Sequence, residues 1–124
     1  IMRAAGLVQW VKDEALMDAE TALSGSGPAY LFLVMEAMEN AAQQLGLPAE
    51  TARLLTVQTA FGAAKLALEI EEDPALLREN VTSPGGTTER AIQVLRQEGL
   101  EDMFAKALQA ARDRAQELAD ELGK

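Results

Sequence analysis

A chain of 124 residues fits one domain, large enough to bury a real core. It holds no cysteine and no histidine. That excludes disulfides and thiol chemistry and removes the commonest general base and metal ligand. With 11 basic against 20 acidic residues, a formal charge of −9, it has no broad basic face for nucleic acid or an anionic membrane.

Apolar residues make up 48% of the chain but aromatics only 4%. Ala and Leu dominate, which favours close-packed helices over sheets. No apolar run is long enough to span a membrane and no signal-peptide pattern opens the chain, so the expected setting is soluble and cytoplasmic. The first element is an exception. Gly6-Leu7-Val8-Gln9-Trp10-Val11 is rich in β-branched and aromatic types and predicts a short strand or extended segment. One strand forms no sheet, so it pairs with another chain or belongs to a sheet encoded upstream. Residues 1–12 are read as this linker, and 13–124 as a helical domain.

Asp13 can cap a short helix through Glu14, Ala15, Leu16 and Met17. Ser24-Gly25-Ser26-Gly27-Pro28 then breaks the chain, with Ser26 as the expected cap and Pro28 in the first turn of a helix that runs to Leu45. Gly46 ends it. The first half, Ala29–Met35, has no polar face. A helix apolar all round is buried on all sides, and one chain with so few elements can hardly surround it. A partner subunit is the better solution.

Pro48 opens the next helix, which runs to about Ile70 with Leu54, Val57, Phe61 and Leu68 near one face. Ala60, Gly62, Ala63, Ala64 and Ala67 form a small-residue stretch that predicts a central helix. Asp73-Pro74 starts a short helix through Leu76 and Leu77. After the turn-rich stretch 80–88, a helix with Ile92 and Leu95 inward ends at Gly99. The last helix spans about 101–122, with Met103, Phe104, Ala107, Leu108, Ala111, Ala115 and Leu118 on an apolar stripe. The five methionines read as core fillers, and Trp10 and Tyr30 as packing residues.

Two loops could carry chemistry. Ser83-Pro84-Gly85-Gly86-Thr87-Thr88 leads straight into a helix. Its glycines remove side chains where a ligand could touch the backbone, the helix start favours an anion, and two hydroxyls sit at the entry. On pattern alone an ordinary interhelical turn with Thr87 or Thr88 as cap is the favoured reading. Ser24–Pro28 has the same two readings and is neither a Walker loop nor a dinucleotide fingerprint. Glu71 lies in an acidic run at a helix end, Glu14 in a first turn, and Asn80 can cap a turn or hold a ligand. No metal-ligand set and no nucleophile–base pair is visible.

Four motifs in order, Asp18–Tyr30 with Ser-Gly-Ser-Gly-Pro-Ala-Tyr, Leu45-Gly46-Leu47-Pro48, Gly62-Ala63-Ala64-Lys65 and Val81-Thr82-Ser83-Pro84-Gly85-Gly86-Thr87-Thr88, resemble the C-terminal, dimerisation half of the pyrroline-5-carboxylate reductases. The resemblance runs from about Gly6 to about Leu118. It implies an all-α, multi-helix bundle that interlocks as a homodimer, in some members as a decamer. It implies reduction of 1-pyrroline-5-carboxylate to L-proline with NADPH or NADH. The cofactor would be held mainly by an N-terminal Rossmann half, since no Gly-x-Gly-x-x-Gly follows a strand in these residues.

By the same resemblance, Ser83, Gly85, Gly86, Thr87 and Thr88 bind the substrate, its carboxylate on the loop backbone. The Thr88 hydroxyl approaches the ring nitrogen as the catalytic group. Glu71 stands beside the substrate and can favour the iminium, while Glu14 and Asn80 touch the cofactor. The chain alone would then be inactive. Two other readings stand beside this one: a helical interaction module without catalysis, and the helical domain of another Rossmann-type imine or hydroxyacid reductase, for which Lys65 is the candidate catalytic lysine.

Overall fold

The computed structural model describes residues 16–123. The expected strand at 6–11 and the helix start at Asp13 lie outside these residues. The described chain is all-α. Its elements are α1 (Met17–Glu20), a π-helical turn (Thr21–Gly25), α2 (Gly27–Gln44), α3 (Ala49–Glu69), α4 (Pro74–Asn80), α5 (Thr87–Gln97) and α6 (Leu100–Leu122). Two compact units divide it: one reaches to Pro28 and resumes at Asp102, the other is Ala29–Glu101.

The helix ends follow local chemistry. At the end of α2, Gly46 takes φ 105°. The Gly46 N–H donates to Gln43 O at 2.9 Å and the Leu47 N–H to Ala42 O at 3.1 Å. This is a Schellman closure, which needs the left-handed conformation that glycine adopts without strain. Gly99, at φ 85°, closes α5, and α6 begins at the next residue. Pro48 and Asp73 each stand one residue before a helix with extended ψ, so Pro48 precedes α3 rather than opening it.

The Ser24–Pro28 break is softer than the sequence suggests. Thr21–Gly25 widens into a π turn, closed by the Ser26 N–H on Thr21 O at 2.9 Å. The Thr21 and Ser24 hydroxyls donate back to the carbonyls of Met17 and Glu20, each at 3.0 Å. Ser26 has helical backbone angles, φ −92° and ψ −18°, rather than the extended ones of an N-cap. The expected capping role for Ser26 is therefore corrected: this residue carries the chain from one helical turn into the next.

The core also differs from expectation. Among the described residues, only Ala22, Ala52 and Thr56 are buried. On α3 the burial runs along a small-residue stripe, with Ala52 and Thr56 buried and Ala60 half-buried. At 3.6 residues per turn, Leu54, Phe61 and Leu68 fall on the opposite side. They are 57%, 68% and 74% exposed. Along α2, Leu31, Phe32, Leu33 and Val34 are exposed and Met35 is half-buried. Leu95 is exposed rather than inward, and Met17, Met38 and Met103 are exposed rather than core fillers. On α6, Leu108, Ala111 and Ala115 are half-buried while Met103, Phe104 and Leu118 are exposed. The sequence pattern marks the apolar faces correctly, but the single chain does not cover them.

Ion pairs decorate the outside. Arg114 meets Glu117 at 2.9 Å and Glu121 at 3.6 Å, and Arg96 meets Glu101 at 3.4 Å across the α5–α6 junction. Exposed pairs of this kind each contribute roughly 0–1 kcal/mol. No described helix is long and apolar enough to cross a membrane.

The close packing at Ala52 gives a test. Ala52→Leu inserts three carbons where the side chain is 1% exposed, and should destabilise the fold by about 1–3 kcal/mol. A urea-denaturation midpoint equal to that of the unsubstituted protein would place Ala52 outside the core.

Candidate functional site

The Ser83–Thr88 loop is built from its glycines. Pro84 fixes the second position of a turn and Gly85 holds the third at φ 72°. The Gly86 N–H donates to Ser83 O at 3.0 Å and closes it. These are the features of a type II turn, which requires a positive φ after the proline. Gly86 is favoured for a different reason. Its backbone is extended, but a Cβ there would lie 3.1 Å from Ser83 O.

The turn hands over to α5 at Gly86, the residue before the helix. Thr87 and Thr88 are its first two helical residues, and neither is the cap that one reading of the sequence allowed. The first helical bond is the Arg90 N–H on Gly86 O at 3.3 Å. The amides of Thr87, Thr88 and Glu89 therefore precede the helical ladder. No hydrogen bond among the described residues engages the Thr87 or Thr88 amides or hydroxyls. Both side chains are exposed. Amides at a helix start carry the positive end of the helix dipole, so a carboxylate or phosphate is the ligand they suit.

The amides of the two glycines are already engaged. That of Gly86 closes the turn, and that of Gly85 donates to Glu89 Oε1 at 3.3 Å. Glu89 was not singled out from the sequence. Its signal was there: an acid at the third helical position, where carboxylates reach back to free N–H groups.

The approach to the loop is also tied down. The Thr82 hydroxyl donates to Arg78 O, which also accepts the Val81 N–H at 3.2 Å. Asn80 Nδ2 donates to Glu72 Oε2 at 3.4 Å, joining the end of α4 to the segment after α3. A carboxylate only accepts, so this bond leaves Asn80 Oδ1 as a free-facing acceptor. Glu72 was likewise missed in the sequence, as one acid among several in a charged run.

Glu71 sits at the apex of a three-residue turn, since the Glu72 N–H donates to Ile70 O at 2.9 Å. No described non-glycine residue has positive φ, so this is the inverse γ form. Its side chain is exposed. Glu71, Asn80 and Ser83–Thr88 share the Ala29–Glu101 unit, but no hydrogen bond or ion pair among the described residues joins Glu71 to the loop. Glu14, the other expected cofactor contact, lies outside the described residues.

The helical architecture and the apolar faces on its outside define the class: an all-α domain of the kind that buries its faces against a partner. The family model for pyrroline-5-carboxylate reductase dimerisation matches residues 14–118. The chain belongs to that family. A pyrroline-5-carboxylate reductase from Pseudomonas aeruginosa is 54% identical over 123 residues, 99% of this chain and 45% of that protein. A solved pyrroline-5-carboxylate reductase from Coxiella burnetii superposes with a TM-score of 0.89 at 59% identity, over 94% of this chain and 43% of that one. A Plasmodium falciparum pyrroline carboxylate reductase with NADP bound does so with a TM-score of 0.83 at 30% identity, over 90% and 42%. The chain thus spans less than half the length of these relatives.

The turn geometry has a measurable consequence. Gly85→Ala puts a Cβ on a left-handed residue and should destabilise the loop by roughly 1–2 kcal/mol. Faster amide exchange at Gly86 and Thr87 would register it. Unchanged exchange would mean that the positive φ is not needed.

Proposed function

We propose that this chain is the dimerisation and substrate-binding half of a cytoplasmic pyrroline-5-carboxylate reductase, with residues 13–124 the helical domain and 1–12 the link to the cofactor-binding half. The observation that carries the reading is the helix entry at Thr87-Thr88, with free amides and hydroxyls beside a hydrogen-bonded glycine turn. It suits a small cyclic imine bearing a carboxylate.

Reduction of 1-pyrroline-5-carboxylate to L-proline adds a hydride to the imine carbon and a proton to the nitrogen. Reduced NADPH or NADH, when bound, supplies the hydride. The residues present fit only an edge of that cofactor. They include no phosphate-binding glycine fingerprint, while Asn80 offers its Oδ1 to a carboxamide donor.

The chain's own residues bind and polarise the substrate. The Thr87 and Thr88 amides take the carboxylate, and Ser83–Gly86 sets their position. The Thr88 hydroxyl donates to the lone pair of the neutral ring nitrogen and draws electron density from the C=N bond. Glu71, exposed at its turn apex, favours by its charge the positive charge that builds on the nitrogen as the proton arrives. The uncovered faces of α2, α3 and α6 meet a second copy of this chain, which gives a homodimer.

Two measurements test this. The isolated chain, mixed with pyrroline carboxylate and NADPH, should oxidise no cofactor; appreciable turnover would remove the need for a second half. In the full-length protein, Thr88→Ala should lower kcat/KM by about 10²-fold, as expected for a positioned proton donor. Unchanged kinetics would remove Thr88 from the site.

A further inference from the structure

We propose that Glu89 is a positioning residue of the substrate loop: its carboxylate holds the Gly85 N–H and so orients the Ser83–Gly86 turn against the start of α5. The assignment rests on the reading of this loop as the pyrroline carboxylate site.

Gly85 and Gly86 make the turn feasible, but they also make it loose. A glycine has many backbone states to choose from, and two in succession multiply them. The bond from the Gly86 N–H to Ser83 O fixes the turn internally. It does not fix how the turn meets the helix. Glu89 does, because it lies at the third residue of α5 and reaches back past the helix start and Gly86 to Gly85. The side chain is half-buried, so the carboxylate is partly shielded from competing water.

The same bond sorts the donors. With the Gly85 amide on Glu89 and the Gly86 amide on Ser83, an incoming carboxylate meets the Thr87 and Thr88 amides instead. That register places the Thr88 hydroxyl beside the bound ring.

A negative charge here could also act in the opposite way, by repelling the substrate carboxylate. The geometry favours positioning. Glu89 occupies the Gly85 amide, on the far side of Gly86, and leaves the Thr87 and Thr88 amides free. The two roles predict opposite outcomes when the side chain is shortened.

The test uses the full-length protein containing this chain, assayed with NADPH and 1-pyrroline-5-carboxylate. Glu89→Gln keeps an oxygen acceptor at the same reach and should hold KM within about twofold of the unsubstituted protein. Glu89→Ala removes the acceptor, and Glu89→Asp keeps the charge but is one methylene short. Both should raise KM about three- to tenfold, the range set by losing one hydrogen bond, with kcat changed less than twofold. Asp is well tolerated in a first helical turn, so the Asp variant reads positioning even if the Ala variant folds poorly. A lower or unchanged KM in the Asp variant overturns the proposal, as does a Gln variant as impaired as the Asp one. An unsubstituted protein that does not reduce pyrroline carboxylate overturns the underlying reading, and this assignment with it.

Discussion

On α3 the small side chains Ala52 and Thr56 are buried, while Leu54, Phe61 and Leu68 on the other side face solvent. Small residues let helix axes approach closely, and they can be covered by a thin layer of neighbours. Large ones need a broad apolar surface to meet. A chain that turns its small face inward and its large face outward has reserved most of its hydrophobic free energy for something outside itself. Full burial of a Leu or Phe side chain is worth roughly 1.5–3 kcal/mol, and α2 and α3 together leave many such side chains uncovered. The helices are therefore arranged for a second surface, and in our proposal that surface is another copy. The loops described above hang on this framework.

In our proposal, a strongly acidic chain holds an anion. Its formal charge of −9 opposes a carboxylate at long range. At the entry to α5 the net charge matters less than a few oriented amides, whose partial charges act at hydrogen-bond distance. The site needs no histidine, cysteine or lysine to do this. It favours two glycines for two distinct reasons: a positive φ at Gly85 and a close approach to Ser83 O at Gly86. The missing histidine and cysteine are thus no argument against the proposed oxidoreductase role, in which a nicotinamide would supply the hydride.

Much of this was legible in the sequence. The helices starting near Pro28, Pro48 and Pro74 were marked by proline, that at Thr87 by the turn-rich stretch before it, and the ends of α2 and α5 by Gly46 and Gly99. These are steric rules that act within a few residues, so one chain suffices to read them. The glycine turn before α5 was legible for the same reason. Burial was not. The pattern marks Leu54, Phe61 and Leu68 as one apolar face, but it cannot say whether that face meets its own chain. Ser26 was misread as a cap because the sequence does not distinguish a broken helix from a widened π turn, in which the hydroxyls of Thr21 and Ser24 serve the preceding carbonyls. Glu72 and Glu89 were overlooked because acids at helix ends and in the segments between helices are common. Only geometry shows which of them has a partner.

Among the described residues only three are buried, two of them alanines, which leaves these helices little to set against the conformational entropy of ordering them. If a second copy supplies the missing burial, folding and association become one process. Its midpoint then moves with protein concentration, as it does for any reaction that changes the number of particles. On that reading the fold belongs less to a molecule than to a solution, and dilution acts on it as a denaturant would.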